Sequence, residues 1–415
     1  MSTALAQQQQ LKTPTSGRIG TMTSDQQQVL TQFWRMLLDL FADSAPAIQS
    51  TKNSKNFLSR KKTTDATAND SSSSDKYNEF RELASALELY SLSELRQAWW
   101  RLNSFDDPDS IMLRFLRARK WDVNKALAML VSTLKWSLQS DIESIISDGE
   151  SGLQQYFEEK RMKGFDLQLT SGKSFLHGFD KEGRPICYIN VRYHKKDDQS
   201  LEILQKFTLW TMETSRLMVI PPVETACLVF NMDGFSLSNV DYQYINFMIK
   251  CFEAYYPESL GVCLVHRAPW VFSVVWKVIS PLIDPVVAAK IKFTNDSKEL
   301  LEYISSDTLI ASLGGNNKWE YKYVPPKPNE NARMADTKTK ENKLKIRRDL
   351  ESKFEESTRK WLADPSPTNI KERQELKKKL REAQIQLDPY IRARTLYHRI
   401  GVIKDDGGCD WKVLE

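Results

Sequence analysis

The stretch YYPESLGVCLVHRAPWVFSVVWKVISPLIDPVVAAK, residues 255–290, decides how this chain folds. It opens on Tyr255-Tyr256-Pro257-Glu258 and closes on Lys290, so each end carries a charge. Between them lie a buried-strand pattern, Gly261-Val262-Cys263-Leu264-Val265-His266, then Ala268-Pro269-Trp270, then an apolar run broken by Pro281 and by Asp284-Pro285. A strand feeding a long apolar helix bounded by prolines suits a hinged lid over an apolar cavity, because proline ends or kinks a helix at a fixed place. The cargo implied by such a lid is an amphiphile.

Upstream of this stretch, strands and helices alternate. Residues 186–191, 228–232 and 261–266 are short, nearly continuous apolar runs, the pattern of strands buried in a parallel sheet. Residues 201–219 and 240–256 are helical patterns between them. That alternation predicts an α/β sheet. Asp180-Lys181-Glu182-Gly183-Arg184 is a turn that makes the first strand pair a hairpin, so the sheet is expected to be mixed and mostly parallel.

Three motifs in this order resemble the CRAL-TRIO domain of the yeast secretory-type phosphatidylinositol transfer proteins. The first is Leu113-Arg114-Phe115-Leu116-Arg117-Ala118-Arg119-Lys120-Trp121-Asp122, similar to the family's N-terminal helical signature. The second is the entry hairpin from Asp180 to Pro185. The third is Tyr255 to Glu258 with Ala268-Pro269, Ile283-Asp284-Pro285 and Lys290-Ile291. The resemblance covers roughly residues 90 to 315 and is nearest to the divergent fungal members, the CSR type.

The resemblance implies a CRAL-TRIO lipid-binding fold: a sheet that floors a hydrophobic cavity, gated by a helix, preceded by a small all-helical unit and followed by C-terminal helices. It implies a gate and cavity wall at Trp270, Phe272, Val274, Val275, Val278, Ile279, Ile283, Val286, Val287 and Ile291. It also implies headgroup contacts at Glu258, Lys290, Arg119 and Lys120. A carboxylate can accept hydrogen bonds from inositol hydroxyls, and an ammonium can neutralise a phosphodiester. The expected activity is non-enzymatic transfer of phosphatidylinositol, with a bound lipid and no other cofactor. Expected partners are phospholipid membranes, contacted peripherally and transiently, and lipid kinases supplied with their substrate. The compartment expected is the cytoplasm, with visits to microsomal, endosomal or Golgi membranes.

Departures from the family pattern sharpen the ligand expectation. Relatives that also take phosphatidylcholine carry hydroxyls in a Glu-Thr-Ser-x-Thr strand, where this chain has Glu224-Thr225-Ala226-Cys227-Leu228. Ser259 and Val287 stand where well-known relatives have Arg and Thr. Weak or absent choline-lipid binding follows, and a more apolar ligand such as a sterol or a squalene-like isoprenoid hydrocarbon is the alternative cargo. A protein-binding adaptor with an empty cavity is a further alternative.

Composition bounds the rest. A chain of 415 residues exceeds what one core usually supports, so two to three units are expected. The predicted division is 1–80, largely disordered with one amphipathic helix at 25–42; 81–150, the helical unit; 151–325, the lipid-binding domain; and 326–415, a charged helical extension. Net charge is +5, mild for a nucleic-acid binder and compatible with visits to anionic membranes, so no nucleic-acid partner is expected. The start of the sequence shows no basic-then-apolar leader, and residues 270–293 are too interrupted to span a bilayer. Cys187, Cys227 and Cys263 sit inside strand patterns and are expected to be reduced core thiols, with no metal-ligand spacing.

The flanking segments carry further expectations. Gln7 to Gln10 and residues 49–75 are too polar to offset ordering entropy. Val29, Leu30, Phe33, Trp34, Leu37, Leu38 and Phe41 form a helical stripe capped by Ser24 or Asp25, and its polar face lacks the basic excess of an interfacial helix, so docking on the protein is expected. Ile346, Leu350, Phe354 and Trp361 mark one late helix and Leu376, Leu380, Ala383 and Leu387 another, with Glu375 set to pair Lys379. Their stripes are too short for a coiled coil and predict packing on the main domain. An enzyme reading finds no nucleophile elbow or dinucleotide loop, and His177, His194, His266 and His398 sit in unrelated contexts.

Overall fold

In a computed structural model of the chain, residues 16–42 and 75–414 are described. The tethers expected at Gln7 to Gln10 and over nearly all of 49–75 lie outside them. The first helix, α1 (Ser24–Ala42), buries Leu30, Phe33, Trp34, Leu37, Leu38 and Phe41. It docks on the protein. The cap is Thr23, one residue before the predicted Ser24 or Asp25: its hydroxyl accepts from the Gln26 amide (3.2 Å), and Gln26 Oε1 accepts from the Thr23 amide (3.0 Å). This reciprocal pair is a capping box.

A helical unit follows, made of α2 (Glu79–Leu89), α3 (Leu92–Asn103), α4 (Pro108–Ala118), α5 (Val123–Gln139) and α6 (Ile142–Glu159), the last kinked at Gly149. Asp107 caps α4 with Pro108 in its first turn, and Asp122 caps α5, which is why each starts where it does. A short α7 (Phe165–Thr170) leads into the sheet.

Five strands lie in sequence order: β1 (Ser174–Phe179), β2 (Pro185–Asn190), β3 (Ala226–Asn231), β4 (Leu260–His266) and β5 (Ile291–Thr294). β1 pairs antiparallel with β2, and every later pair is parallel. Between them run α8 (Leu201–Arg216) after β2 and α9 (Tyr242–Lys250) after β3, and α10 (Phe272–Ile279) with the single turn α11 (Pro285–Ala288) after β4. The mixed, mostly parallel sheet is therefore as the sequence predicts.

Strand periodicity divides the sheet into two faces. Phe175, Ile186, Tyr188, Cys227, Val229, Val262 and Leu264 point to one face, sealed by Leu300, Ile304, Leu309, Ile310 and Leu313 from the chain after β5, where α12 (Ser297–Leu300) lies. Ile189, Leu228, Phe230, Met232, Cys263 and Val265 point to the other, which faces a cavity. The five cysteines are all free, and four of them are buried.

Two long helices, α13 (Thr337–Ala363) and α14 (Pro367–Ile391), then pack against α1 and the helical unit, and a short α15 (Leu396–Arg399) closes against the sheet. Phe354, Trp361, Leu376 and Leu380 enter the same buried cluster as Trp34, Trp99 and Leu130. Glu375 pairs with Lys378 (2.9 Å), not with Lys379, because the shorter i,i+3 step brings that ammonium within reach.

Candidate functional site: a gated apolar cavity

The Tyr-Tyr-Pro-Glu motif works by fixing Glu258. The helix before it widens into a π-type turn at Cys251–Tyr255, which re-aims the chain. Tyr255 stacks on Trp136 (3.9 Å, 7°), and the Tyr256 hydroxyl donates to Glu213 (2.9 Å). With both rings anchored, Glu258 takes a left-handed backbone conformation (φ 56°), uncommon for a glutamate. Its carboxylate meets the Lys290 ammonium at 3.3 Å, and both side chains remain partly accessible. β4 begins two residues later. A Cβ on Gly261 would lie 2.5 Å from Arg184 Cδ, so glycine is needed where the hairpin arginine crosses the strand.

Arg117 lies beside this pair. Its guanidinium donates to Glu224 (3.0 Å), which also accepts from Arg18 (2.7 Å) and Ser110 (2.8 Å). Burial lowers the Arg117 pKa, and the Glu224 carboxylate opposes that, with the Glu258 charge acting in the same raising direction. The sequence reading missed Arg117. The available signal was helical spacing: Ser110, Arg114 and Arg117 fall on one face of α4. Arg119 and Lys120, named instead, are one turn-end further on. Arg119 is held by Glu79 in a close two-pronged ion pair, and Lys120 is exposed; neither has a hydrogen bond to Glu258 or Lys290 among the described contacts.

The gate has two apolar faces. Phe272, Val275, Ile279, Ile283, Val287 and Ile291 line the cavity as expected, joined by Trp276, which the sequence reading left out. Trp270 (85 % exposed), Val274 (57 %), Val278 (49 %) and Val286 (50 %) face outward, contrary to the expectation that they line it. The reason is the helical period: residues 270, 274 and 278 lie one turn apart on one side, and 272, 275, 276 and 279 on the opposite side. At its hinge the Asp284 amide donates to Glu253 (2.6 Å), while Lys76 donates to both Glu253 (2.6 Å) and the Leu282 carbonyl (2.5 Å). The Tyr77 hydroxyl donates to the same carboxylate (2.6 Å). Asp284 caps α11 at 2.8 Å.

The cavity, partly open to the surface, measures about 200 Å³. Its floor is the cavity-facing side of β2, β3 and β4, its sides come from Leu204, Phe207, Ile245, Met248 and Phe252, and the gate is its roof. Leu228 is on the floor and Ala226 is half-buried at the start of the same strand. Among the described residues no cluster of His, Cys, Asp and Glu has the arrangement of a metal site, and no helix is long and apolar enough to cross a membrane.

Comparison with known proteins matches two family models: the CRAL/TRIO domain over residues 169–315 and the CRAL/TRIO N-terminal domain over residues 76–132. A CRAL-TRIO domain-containing protein of Schizosaccharomyces pombe is 42% identical over 313 residues, which is 74% of this chain and 69% of that protein. The phosphatidylinositol transfer protein CSR1 of Eremothecium gossypii is 33% identical, over 95% of this chain and 99% of its own length. The SEC14 cytosolic factor of the same species is 31% identical, over 50% of this chain and 70% of its own.

Proposed function

The chain belongs to the CRAL-TRIO lipid-transfer family, and on that premise we propose that it withdraws phosphatidylinositol from a membrane into its gated cavity and carries or presents it, unchanged, to another membrane or to a lipid kinase. The observation that carries this reading is a helix apolar on both faces, roofing an apolar cavity, with an ion pair beside its hinged end. Exposing acyl chains to water costs about 0.8 kcal/mol per methylene, so the apolar cavity offsets what the chains lose on leaving the bilayer. At about 200 Å³ the cavity is smaller than the ~300–1,000 Å³ typical of a site for a drug-sized ligand. Two acyl chains therefore require the gate to swing outward. Its exposed Trp270, Val274, Val278 and Val286 suit contact with the bilayer while it does so.

Lys290 is placed to neutralise the lipid phosphate and Glu258 to accept from inositol hydroxyls, each released from the other when the headgroup arrives. Leu228 on the floor offers no hydroxyl to a choline headgroup, which supports selectivity against phosphatidylcholine. The apolar lining also suits a sterol or isoprenoid hydrocarbon as a second cargo.

The test is mass spectrometry of co-purifying lipids together with vesicle-to-vesicle transfer. Bound lipid, phosphatidylinositol transfer above a lipid-free control and much slower phosphatidylcholine transfer are expected. Absence of bound lipid with no inositol-lipid transfer would overturn the reading; equal rates for the two lipids would overturn the selectivity alone.

A further inference from the structure

One corner of the cavity is polar, and it lies away from Glu258 and Lys290. Because β1 runs antiparallel to β2, Lys173 at the start of β1 lies beside the last residue of β2, where the Asn190 amide donates to the Lys173 carbonyl (2.7 Å). Lys290 precedes β5, level with the first half of β4. The strand register separates the two backbone positions by about 13 Å along the strands and about 19 Å across the sheet. They stand at diagonally opposite corners.

The polar corner is built from buried groups. Gln168, Lys173, His194, Asn239 and Asp241 all line the cavity. Lys173 is 5 % exposed and His194 7 %. The Lys173 ammonium donates to Gln199 Oε1 (3.0 Å) and has no ion pair among the described residues. That same oxygen already accepts from the Gln168 amide (3.1 Å), while Gln168 Oε1 has no partner. Neither ring nitrogen of His194 is hydrogen-bonded. The nearest carboxylate, Asp241, stands 3.8 Å from His194 Nε2, and its Oδ1 accepts the Gln243 and Tyr244 amides at the start of α9. Asp198, the other acidic group acting on this corner, is exposed.

A buried ammonium with only a shared amide oxygen is a costly arrangement, and an arriving anion relieves it. Burial lowers the Lys173 pKa only to about 8, so the group stays largely protonated at neutral pH. Burial, with the Lys173 charge, lowers His194 to about 4, so the imidazole is neutral and keeps one N–H donor. The corner thus offers one ammonium with no ion pair among the described residues and a neutral imidazole donor, with the one lining carboxylate, Asp241, beside the imidazole and engaged by the amides at the start of α9.

We propose that Lys173 and His194 form a second ligand subsite that takes the carboxylate of a long single-chain fatty acid, with the chain lying under the closed gate. The proposal rests on the reading of the cavity as a lipid site, but not on phosphatidylinositol being its cargo. One carboxylate matches one ammonium; a hydroxyl leaves the charge unmet. A single chain also asks less of a cavity of about 200 Å³ than two chains do.

The experiment compares oleate, oleyl alcohol and methyl oleate for binding to the delipidated full-length protein. Oleate is expected to bind about ten- to a hundredfold more tightly than the other two, the effect of a charge-assisted hydrogen bond. Lys173→Met should abolish that preference while leaving methyl oleate binding and phosphatidylinositol transfer in place; Lys173→Arg, which keeps the charge, should retain much of it. Equal affinity for the three ligands in the unmodified protein would overturn the proposal without needing any variant, as would a preference that survives in a folded Lys173→Met. Should none of the three bind, the lipid-cavity reading itself would fall. A clear oleate preference without inositol-lipid transfer would instead uphold this subsite and remove the phosphatidylinositol assignment.

Discussion

Glu258 and Lys290 illustrate how a surface-type ion pair can be functional. At 3.3 Å with both side chains partly accessible, the pair contributes little to stability. If it reads a headgroup, Lys290→Ala or Glu258→Ala removes a charge-assisted contact of about 1.5 to 3 kcal/mol and slows phosphatidylinositol transfer about ten- to a hundredfold. Binding of an isoprenoid hydrocarbon should be unaffected, since it has no polar group to lose. Parallel transfer and hydrocarbon-binding assays on folded variants check this; loss of both activities would make the residues part of the gate's frame. Asp109 behaves in the opposite way. It is buried and accepts from Trp34 (2.7 Å), from Arg373 (2.6 Å twice) and from Lys377. Burial pushes its carboxyl pKa up, but Arg373 and Lys377 outweigh that and hold it well below the ordinary range. A depressed carboxylate contributes stability that is complete above the unfolded value of about 4 and is lost as pH falls below it. Asp109→Asn leaves the buried Arg373 without its carboxylate, while Lys377 keeps Asp107 (2.8 Å), so a loss of about 3 to 5 kcal/mol at pH 7 is expected, with a weaker further loss on acidification than in the parent chain. Urea unfolding at pH 7 and at about pH 2, inside the window below the unfolded value, measures both, and an unchanged midpoint at pH 7 would refute the assignment. Glu258 and Lys290 were legible in the sequence because motifs flank them. Asp109 had no such flanking signal, because its cationic partners lie more than 260 residues away in a segment with no motif.

At the scale of elements, the strands and the gate differ in how much of their role the sequence displayed. Apolar runs identified β2, β3 and β4, but only the pairing register reveals that Ile189, Leu228, Phe230, Cys263 and Val265 floor the cavity while Cys227 and Val229 face packed core. In the gate, proline punctuation at Pro269, Pro281 and Pro285 marked the hinges, whereas an all-apolar run concealed which side faced in. Splitting residues 270–279 by helical period separates the two faces. That separation yields a prediction. Trp270→Ser with Val278→Ser removes apolar surface from the outer face alone, so the rate of lipid extraction from vesicles should fall several-fold while the lipid complement at equilibrium stays the same. Val275→Ser places an unpartnered hydroxyl in the cavity roof and should instead lower occupancy. Stopped-flow extraction and lipid mass spectrometry distinguish the two; identical behaviour of the pair would mean the gate's faces are not functionally distinct. The hinge contacts of Lys76 and Glu253 were invisible in sequence, since they join a residue next to a polar tract to a helix near residue 253.

Over the whole molecule, the segments that composition sets apart are joined in one core. Trp34 of α1 packs edge-on against Trp99 of α3 (5.8 Å) and against Phe354 of α13 (5.8 Å), and Phe354 meets Trp100 at 5.9 Å. Arg373 lies over the rings of Trp34, Phe354 and Trp361, and Glu355 accepts from both Arg96 and the Trp100 indole (2.8 Å each). Toward the sheet, the Leu176 amide donates to the Tyr397 hydroxyl (2.6 Å), and Arg399 closes on Glu150 and Glu330. Residues 326–415 therefore brace the helical unit on one side and β1 on the other, and the helical unit in turn carries the Tyr77 and Arg117 contacts to the gate hinge and the Glu258 corner. The apolar stripes of these highly charged helices predict packing on the protein, but they do not show which elements the helices join, because a stripe names no partner. Phe354 is fully buried at the junction of three elements, so Phe354→Ala should cost about 3 to 5 kcal/mol. If the extension were an independent appendage, that substitution would leave the unfolding of the cavity-bearing part unchanged. As a shared core it should lower the single urea midpoint reported both by tryptophan fluorescence and by lipid release. Two separated transitions, with lipid release unmoved, would show that the extension folds apart from the cavity.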